Sequence, residues 1–88
     1  MMAASKWIVS RRNIRIRRWC VLILDRSGEW MTAAVIAERL KADGRDFKSV
    51  QSVANNCRTT PGIEHRGKYP REFRLTSRAA FDEWANGG

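Results

Sequence analysis

The 88-residue chain is 43% hydrophobic, carries four tryptophans, and sets 17 basic side chains against nine acidic ones for a net charge of +8. That length gives room for one small domain with one core, and the apolar share with its large aromatic anchors excludes disorder throughout. A positive surplus of this size attracts polyanions, nucleic acid first and anionic membrane second. Its distribution points past mere solubility. Lys6, Arg11, Arg12, Arg15, Arg17 and Arg18 all precede the first acid, while Arg66, Lys68, Arg71 and Arg74 crowd one later stretch.

Residues 1–12 read as an N-terminal basic arm, with Trp7-Ile8-Val9 but no clear period and no secretory pattern. Asn13 suits a helix N-cap, and Ile14 to Arg26 then reads as a first helix with Ile16, Cys20, Ile23 and Leu24 on one face and Trp19 widening it. Arg15, Arg17 and Arg18 fall mostly off that stripe, which makes this Arg-rich start an extra candidate phosphate contact. The Ile-Arg-Ile-Arg opening would also suit a strand, but the unbroken apolar run after it fits a buried helix better. That run, Trp19 to Leu24, is the longest in the chain and closes on Asp25-Arg26, too short to span a bilayer. A cytoplasmic location is the expectation, with no membrane partner. Ser27-Gly28 ends the helix.

Glu29-Trp30-Met31 suits a small strand, and Thr32 suits the cap of a second helix whose inner face is Ile36, Ala37 and Leu40. A turn over residues 42–46 places Gly44 where positive φ is needed. Either Asp46 or Ser49 is placed to cap a third helix, expected over residues 47–59. There Val50, Val53, Ala54 and Cys57 follow the i, i+3, i+4, i+7 spacing of a buried stripe. The opposite face presents Lys48, Ser52, Asn55, Asn56 and Thr59, with Gln51 and Arg58 at its edges. Thr60-Pro61-Gly62 breaks the helix. A hairpin follows, with Ile63 and His65 facing inward in its first strand and Phe73 and Leu75 in its second. Ser77 suits the cap of a last helix, Arg78 to Trp84, which gathers Ala80, Phe81 and Trp84 on one side.

This order resembles the winged helix-turn-helix family of DNA-binding domains. The residues that carry the resemblance are Thr32-Ala33-Ala34-Val35-Ile36-Ala37-Glu38-Arg39-Leu40, Ser49-Val50-Gln51-Ser52-Val53, and Gly62-Ile63 through Phe73-Arg74-Leu75-Thr76. The implied fold class is α+β, mainly α: a three-helix core, a β-hairpin wing and a short C-terminal helix. The domain would cover residues 13–76, with residues 77–88 forming that last helix and a frayed tail.

The resemblance implies that the third helix enters the major groove of double-stranded DNA and that the wing, residues 66–74, meets the minor groove or adjacent phosphates. Residue chemistry fits. Amides of Asn and Gln pair with adenine, Lys reaches guanine or phosphate, and Ser meets either. The candidate contacts are therefore Lys48, Ser49, Gln51, Ser52, Asn55, Asn56 and Arg58 on the helix, and Arg66, Lys68, Tyr69, Arg71 and Arg74 on the wing. The crowding of Gln, Asn and Ser on one short helix without an acid favours this reading over an ordinary solvated face. The family suggests a sequence-specific regulator of transcription of the small stand-alone bacterial or phage type.

Two other readings compete. An excisionase-like architectural protein would bend DNA with the same fold. A protein-interaction module would use Phe81 and Trp84 as exposed anchors, although these would equally complete the core; exposed, they would also support a homodimer and hence a palindromic site. RNA binding is weakened by the lack of an aromatic stacking platform. An enzyme is not expected. His65, the only histidine, has no nucleophile partner, no Gly-rich phosphate loop is present, and the isolated Cys20 and Cys57 lack zinc-site spacing. No cofactor, metal or small-molecule substrate follows from the sequence. Cys20 and Cys57 read as small buried thiols, with a disulfide between them left open.

Overall fold

In the computed structural model, which describes residues 12–68 and 70–87, the chain opens with α1 (Ile14–Ser27) and then β1 (Met31–Thr32), α2 (Ala33–Ala42) and α3 (Val50–Arg58). The hairpin β2 (Ile63–Arg66) and β3 (Glu72–Leu75) follows, and α4 (Arg78–Ala85) closes the order. Residues 1–11 of the expected arm, and Tyr69 in the wing, lie outside the described residues. The architecture is the expected three-helix core with a β-hairpin wing and a short C-terminal helix.

Local chemistry explains most element ends. The Thr32 side chain accepts the Val35 N–H at 3.3 Å and starts α2, while Ser77 accepts the Ala80 N–H at 3.0 Å and starts α4. At the end of α1 the Gly28 N–H returns to the Leu24 carbonyl at 2.9 Å. Gly44 adopts φ 73° in the turn after α2, as its position required, and lets Arg45 N–H reach the Leu40 carbonyl at 2.8 Å. Asn13 departs from expectation. It sits at the N-cap position of α1 in a left-handed conformation, φ 63°, without capping, and its Nδ2 instead donates to Asn56 Oδ1 at 3.2 Å.

The sheet runs β1-β3-β2, all antiparallel, with Met31 opposite Phe73, Ile63 opposite Leu75 and His65 opposite Phe73. Two residues of β1 thus stitch the wing to the helical body. Phe73, Phe81, Leu24, Ile36, Leu40, Val21 and Val53 are the large, fully buried side chains between the helices and the sheet. Each is worth about 1.5 to 3 kcal/mol on burial.

α4 is part of this core. Phe81 and Trp84 are 1% and 4% exposed, so the protein-docking alternative loses its anchors. Gly62 makes the seat for α4. Its carbonyl accepts the Thr76 and Ser77 N–H groups, its φ is 91°, and a Cβ there would run into the Ser77 carbonyl oxygen. Arg78 adds a bridge from α4 to Asp25 of α1 at 2.8 Å.

The tryptophans are used unequally. Trp84 alone is buried among those described. Trp19 packs partly on the core under the Arg45 guanidinium at 3.6 Å, and Trp30 is half-buried beneath two arginines of the wing.

Candidate nucleic-acid interface

The expected stripe on α3 is rotated. Val50 is 46% exposed, and the residues turned inward are Val53, Asn56 and Cys57, continued by Thr60. These four have the same i, i+3, i+4, i+7 spacing as the stripe drawn from hydrophobicity, displaced by three residues. On α1 the expected Cys20, Ile23 and Leu24 are buried, but the stripe shifts at its N-terminal end. Its inward set is Arg17, Cys20, Val21 and Leu24, with Ile23 beside it, while Ile16 is only partly buried.

The two inward stripes face each other, and the buried polar groups satisfy one another. Arg17, 7% exposed, donates from Nη1 to the Asn56 carbonyl at 3.0 Å, to Thr59 Oγ1 at 2.9 Å and to Thr60 Oγ1 at 2.8 Å; its Nε donates to the Arg12 carbonyl at 2.8 Å. Its guanidinium also lies 5.7 Å from the Trp84 ring centroid. Three of these acceptors cluster at the C-terminal end of α3, where the helix leaves carbonyls unpaired and carries partial negative charge. A buried cation is costly when unpaired, and that helix end supplies the compensation in place of a carboxylate. Burial lowers the Arg17 pKa from its ordinary value. Asn56 and Arg17, expected at the surface as a base contact and as part of the Arg-rich helix start, are thus buried together in the seam between α1 and α3.

Next to them Cys20 and Cys57 are free, fully buried thiols. The hydrogen bond between their side chains and their burial hold the Cys57 thiol well above its usual range. No disulfide joins them.

At its other end α3 starts later than expected. Ser49, not Asp46, is the cap: its side chain accepts the Ser52 N–H at 3.1 Å, and Ser52 Oγ accepts the Ser49 N–H at 3.1 Å. The Ser52 hydroxyl also donates to the Ser49 carbonyl at 2.7 Å. Both serines thus spend their hydroxyls on the helix start, and Lys48 lies exposed before it.

With the stripe rotated, the exposed face of α3 carries Val50, Gln51, Asn55 and Arg58, with half-buried Ala54 among them. Gln51 Nε2 donates to Asn55 Oδ1 at 3.3 Å along that face. The face forms one wall of an open groove of about 640 Å³. Thr32, Ala33 and Ala34 at the start of α2 lie along it, and Lys68, Pro70 and Arg71 of the wing form the opposite side, with Phe73 at the base. Three cations and no acid line it among the described residues.

The wing cations divide between two faces. Lys68 and Arg71 line the groove, and Arg71 Nη1 approaches His65 Nδ1 at 3.4 Å. Because a guanidinium only donates, Nδ1 is the acceptor in that contact. His65 itself is exposed, contrary to its expected place on the inner face, although its ring still lies 6.4 Å from that of Phe73. Arg66 and Arg74 alternate to the other side of the sheet. Their guanidinium carbons lie 4.1 and 4.8 Å from the Trp30 ring centroid, and Arg66 pairs with Glu72 at 2.8 Å.

Of the twelve candidate contacts, the groove gathers Gln51, Asn55, Arg58, Lys68 and Arg71. Lys48, Ser49, Ser52, Arg66 and Arg74 lie elsewhere on the surface, Asn56 is buried, and Tyr69 is outside the described residues. Sequence reasoning missed Val50, Ala54 and the α2 start. The capping pair Ser49/Ser52 was the available signal, since a cap at Ser49 makes Val50 the first helical residue.

Fold and groove together define the class: a three-helix body with a β-hairpin wing, a topology of the winged helix-turn-helix kind that is often used to bind DNA. No protein-family profile, characterised protein or solved structure matches the chain. No described helix is long and apolar enough to cross a membrane, and among the described residues no three His, Cys, Asp or Glu side chains gather as a metal site.

Proposed function

We propose that this protein binds double-stranded DNA sequence-specifically as a small transcriptional regulator, with α3 in the major groove and the wing on the minor groove or backbone. The observation that carries the reading is the shared groove. The amide-bearing face of α3 and the cationic tip of the wing line one open channel, with Arg58, Lys68 and Arg71 along it. A duplex offers matching features: base edges for the helix and a phosphate strand between helix and wing. Cations at the rim favour phosphate, and the net charge of +8 draws the duplex in.

Binding of random-sequence duplex across a salt series, followed by selection and sequencing of the bound fraction, tests the proposal. Affinity that falls steeply with salt, together with enrichment of one sequence pattern, is the expected result. Absence of binding at low salt overturns it, and binding without enrichment replaces it with an architectural role.

A further inference from the structure

We infer that the base pairs read by the first two turns of α3 are A·T pairs, recognised through the adenine N6–N7 edge by Gln51 and Asn55 and through the thymine methyl group by Val50. This inference rests on the DNA-binding reading above and adds the base identity.

The first observation is apolar. Val50 is 46% exposed on a helix face whose neighbours are amides, and it lies along the groove with Ala54 one turn further on. Burying valine against a polar edge also strands that edge's donors and acceptors, whereas burying it against an apolar group costs no such desolvation. Among the features a base pair shows in the major groove, the one apolar group is the thymine C5 methyl.

A second observation concerns donors and acceptors. The Gln51–Asn55 hydrogen bond at 3.3 Å joins the two amides along the helix. Whichever way they are turned, the bond consumes one donor hydrogen, and each amide keeps an oxygen and an N–H. A carboxamide that offers one acceptor beside one donor complements adenine, which shows the N6 donor beside the N7 acceptor. Guanine shows two acceptors, O6 and N7, and would set one of them against the amide oxygen. Reading guanine is the work of Arg or Lys, and the cation of α3 that lines the groove, Arg58, stands at the helix's C-terminal end.

Placement ties the two together. Val50 and Ala54 form one column of the helix surface, and Gln51 and Asn55 the adjacent one, each at i, i+4. On the major-groove edge of an A·T pair the order is N7, N6, O4 and methyl, so the amide feature and the methyl feature share one edge with only O4 between them.

The test begins with the full chain and a random-sequence duplex pool at low salt. The enriched duplex is then rebuilt with single thymines replaced by uracil, which lacks the methyl, and single adenines replaced by 7-deazaadenine, which lacks the N7 acceptor. The core of the enriched site should contain A·T pairs. One thymine-to-uracil change there should weaken binding about fourfold, the equivalent of one buried methyl, and Val50→Ala should lose that sensitivity. One 7-deazaadenine should weaken binding about tenfold, and Gln51→Ala should lose that effect. A core of G·C pairs overturns the inference, as does indifference of the wild-type chain to both replacements. An equal uracil effect in wild type and Val50→Ala also overturns it, because the effect would then come from duplex shape. Thermal melting confirms that each variant is folded; if one is not, the replacement scan on the wild-type chain decides. Failure of the wild-type chain to bind the pool at all overturns the DNA reading itself, an outcome distinct from binding with another base preference.

Discussion

Asn55 and Asn56 are adjacent and identical, yet they belong to opposite regions of α3. Asn55 stands exposed in the groove and meets Gln51, while Asn56 is buried, joined to Asn13 through its side chain and to Arg17 through its carbonyl. One region is an anchored polar seam against α1; the other is a polar face left open. The difference shows that polarity on a helix does not itself mark the outside. A polar stripe goes inward when another element supplies its hydrogen bonds, and it stays available for a ligand when none does.

Breaking the anchored side should give the largest effects. Gly62→Ala places a Cβ against the Ser77 carbonyl at φ 91° and unseats α4 where the chain leaves α3; a loss of about 3 kcal/mol is expected in urea unfolding. Arg17→Met fills the space but removes the donor that the Thr59 and Thr60 hydroxyls and the Asn56 carbonyl share, leaving that carbonyl only the Thr59 and Thr60 donors. It should cost about 2 to 3 kcal/mol. Gln51→Met on the open face should stay within about 0.5 kcal/mol of wild type. Equal costs for Arg17→Met and Gln51→Met would erase the distinction between the two regions.

A finer contrast lies within the wing. Lys68→Ala and Arg71→Ala should each weaken binding to all duplexes alike and reduce the salt slope by about 1. Arg66→Ala and Arg74→Ala, on the side stacked over Trp30, should do less, and equal slopes for all four would remove the functional difference between the wing's faces. The smallest effect concerns the seam's thiols. Cys57, buried and raised above its ordinary 9.0, should resist alkylation in the folded chain and react only as the chain unfolds. Because its folded pKa is the higher one, its contribution to stability is whole below pH 9.0 and is lost as pH rises beyond it toward the folded pKa. Rapid native labelling of Cys57 near neutral pH would show the seam to be open.

Much of the fold was legible along the chain. Thr32 and Ser77 as caps, Gly28 as a stop, Gly44 in its turn and the alternation around Phe73 all act through neighbours a few residues away. Such signals survive in a linear string because the forces behind them are local. Gln51, Asn55, Lys68 and Arg71, the contact set proposed above, were legible as candidates for a related reason: amides and cations at exposed spacing suggest a chemistry even before their geometry is known.

What only the tertiary structure decided is which way α1 and α3 face. α3 offers two stripes of identical spacing and α1 two overlapping ones, and hydrophobicity alone selects Val50 and Ile16 over Asn56 and Arg17. The choice is reversed because Arg17 reaches the carbonyl end of α3 and satisfies the acceptors there, a contact between residues 39 to 43 positions apart. Tertiary pairing likewise parted the wing's cations, sending Lys68 and Arg71 to the groove and Arg66 and Arg74 to Trp30. Periodicity along the sequence fixes the spacing of a face; the partner across the interface fixes which face is buried.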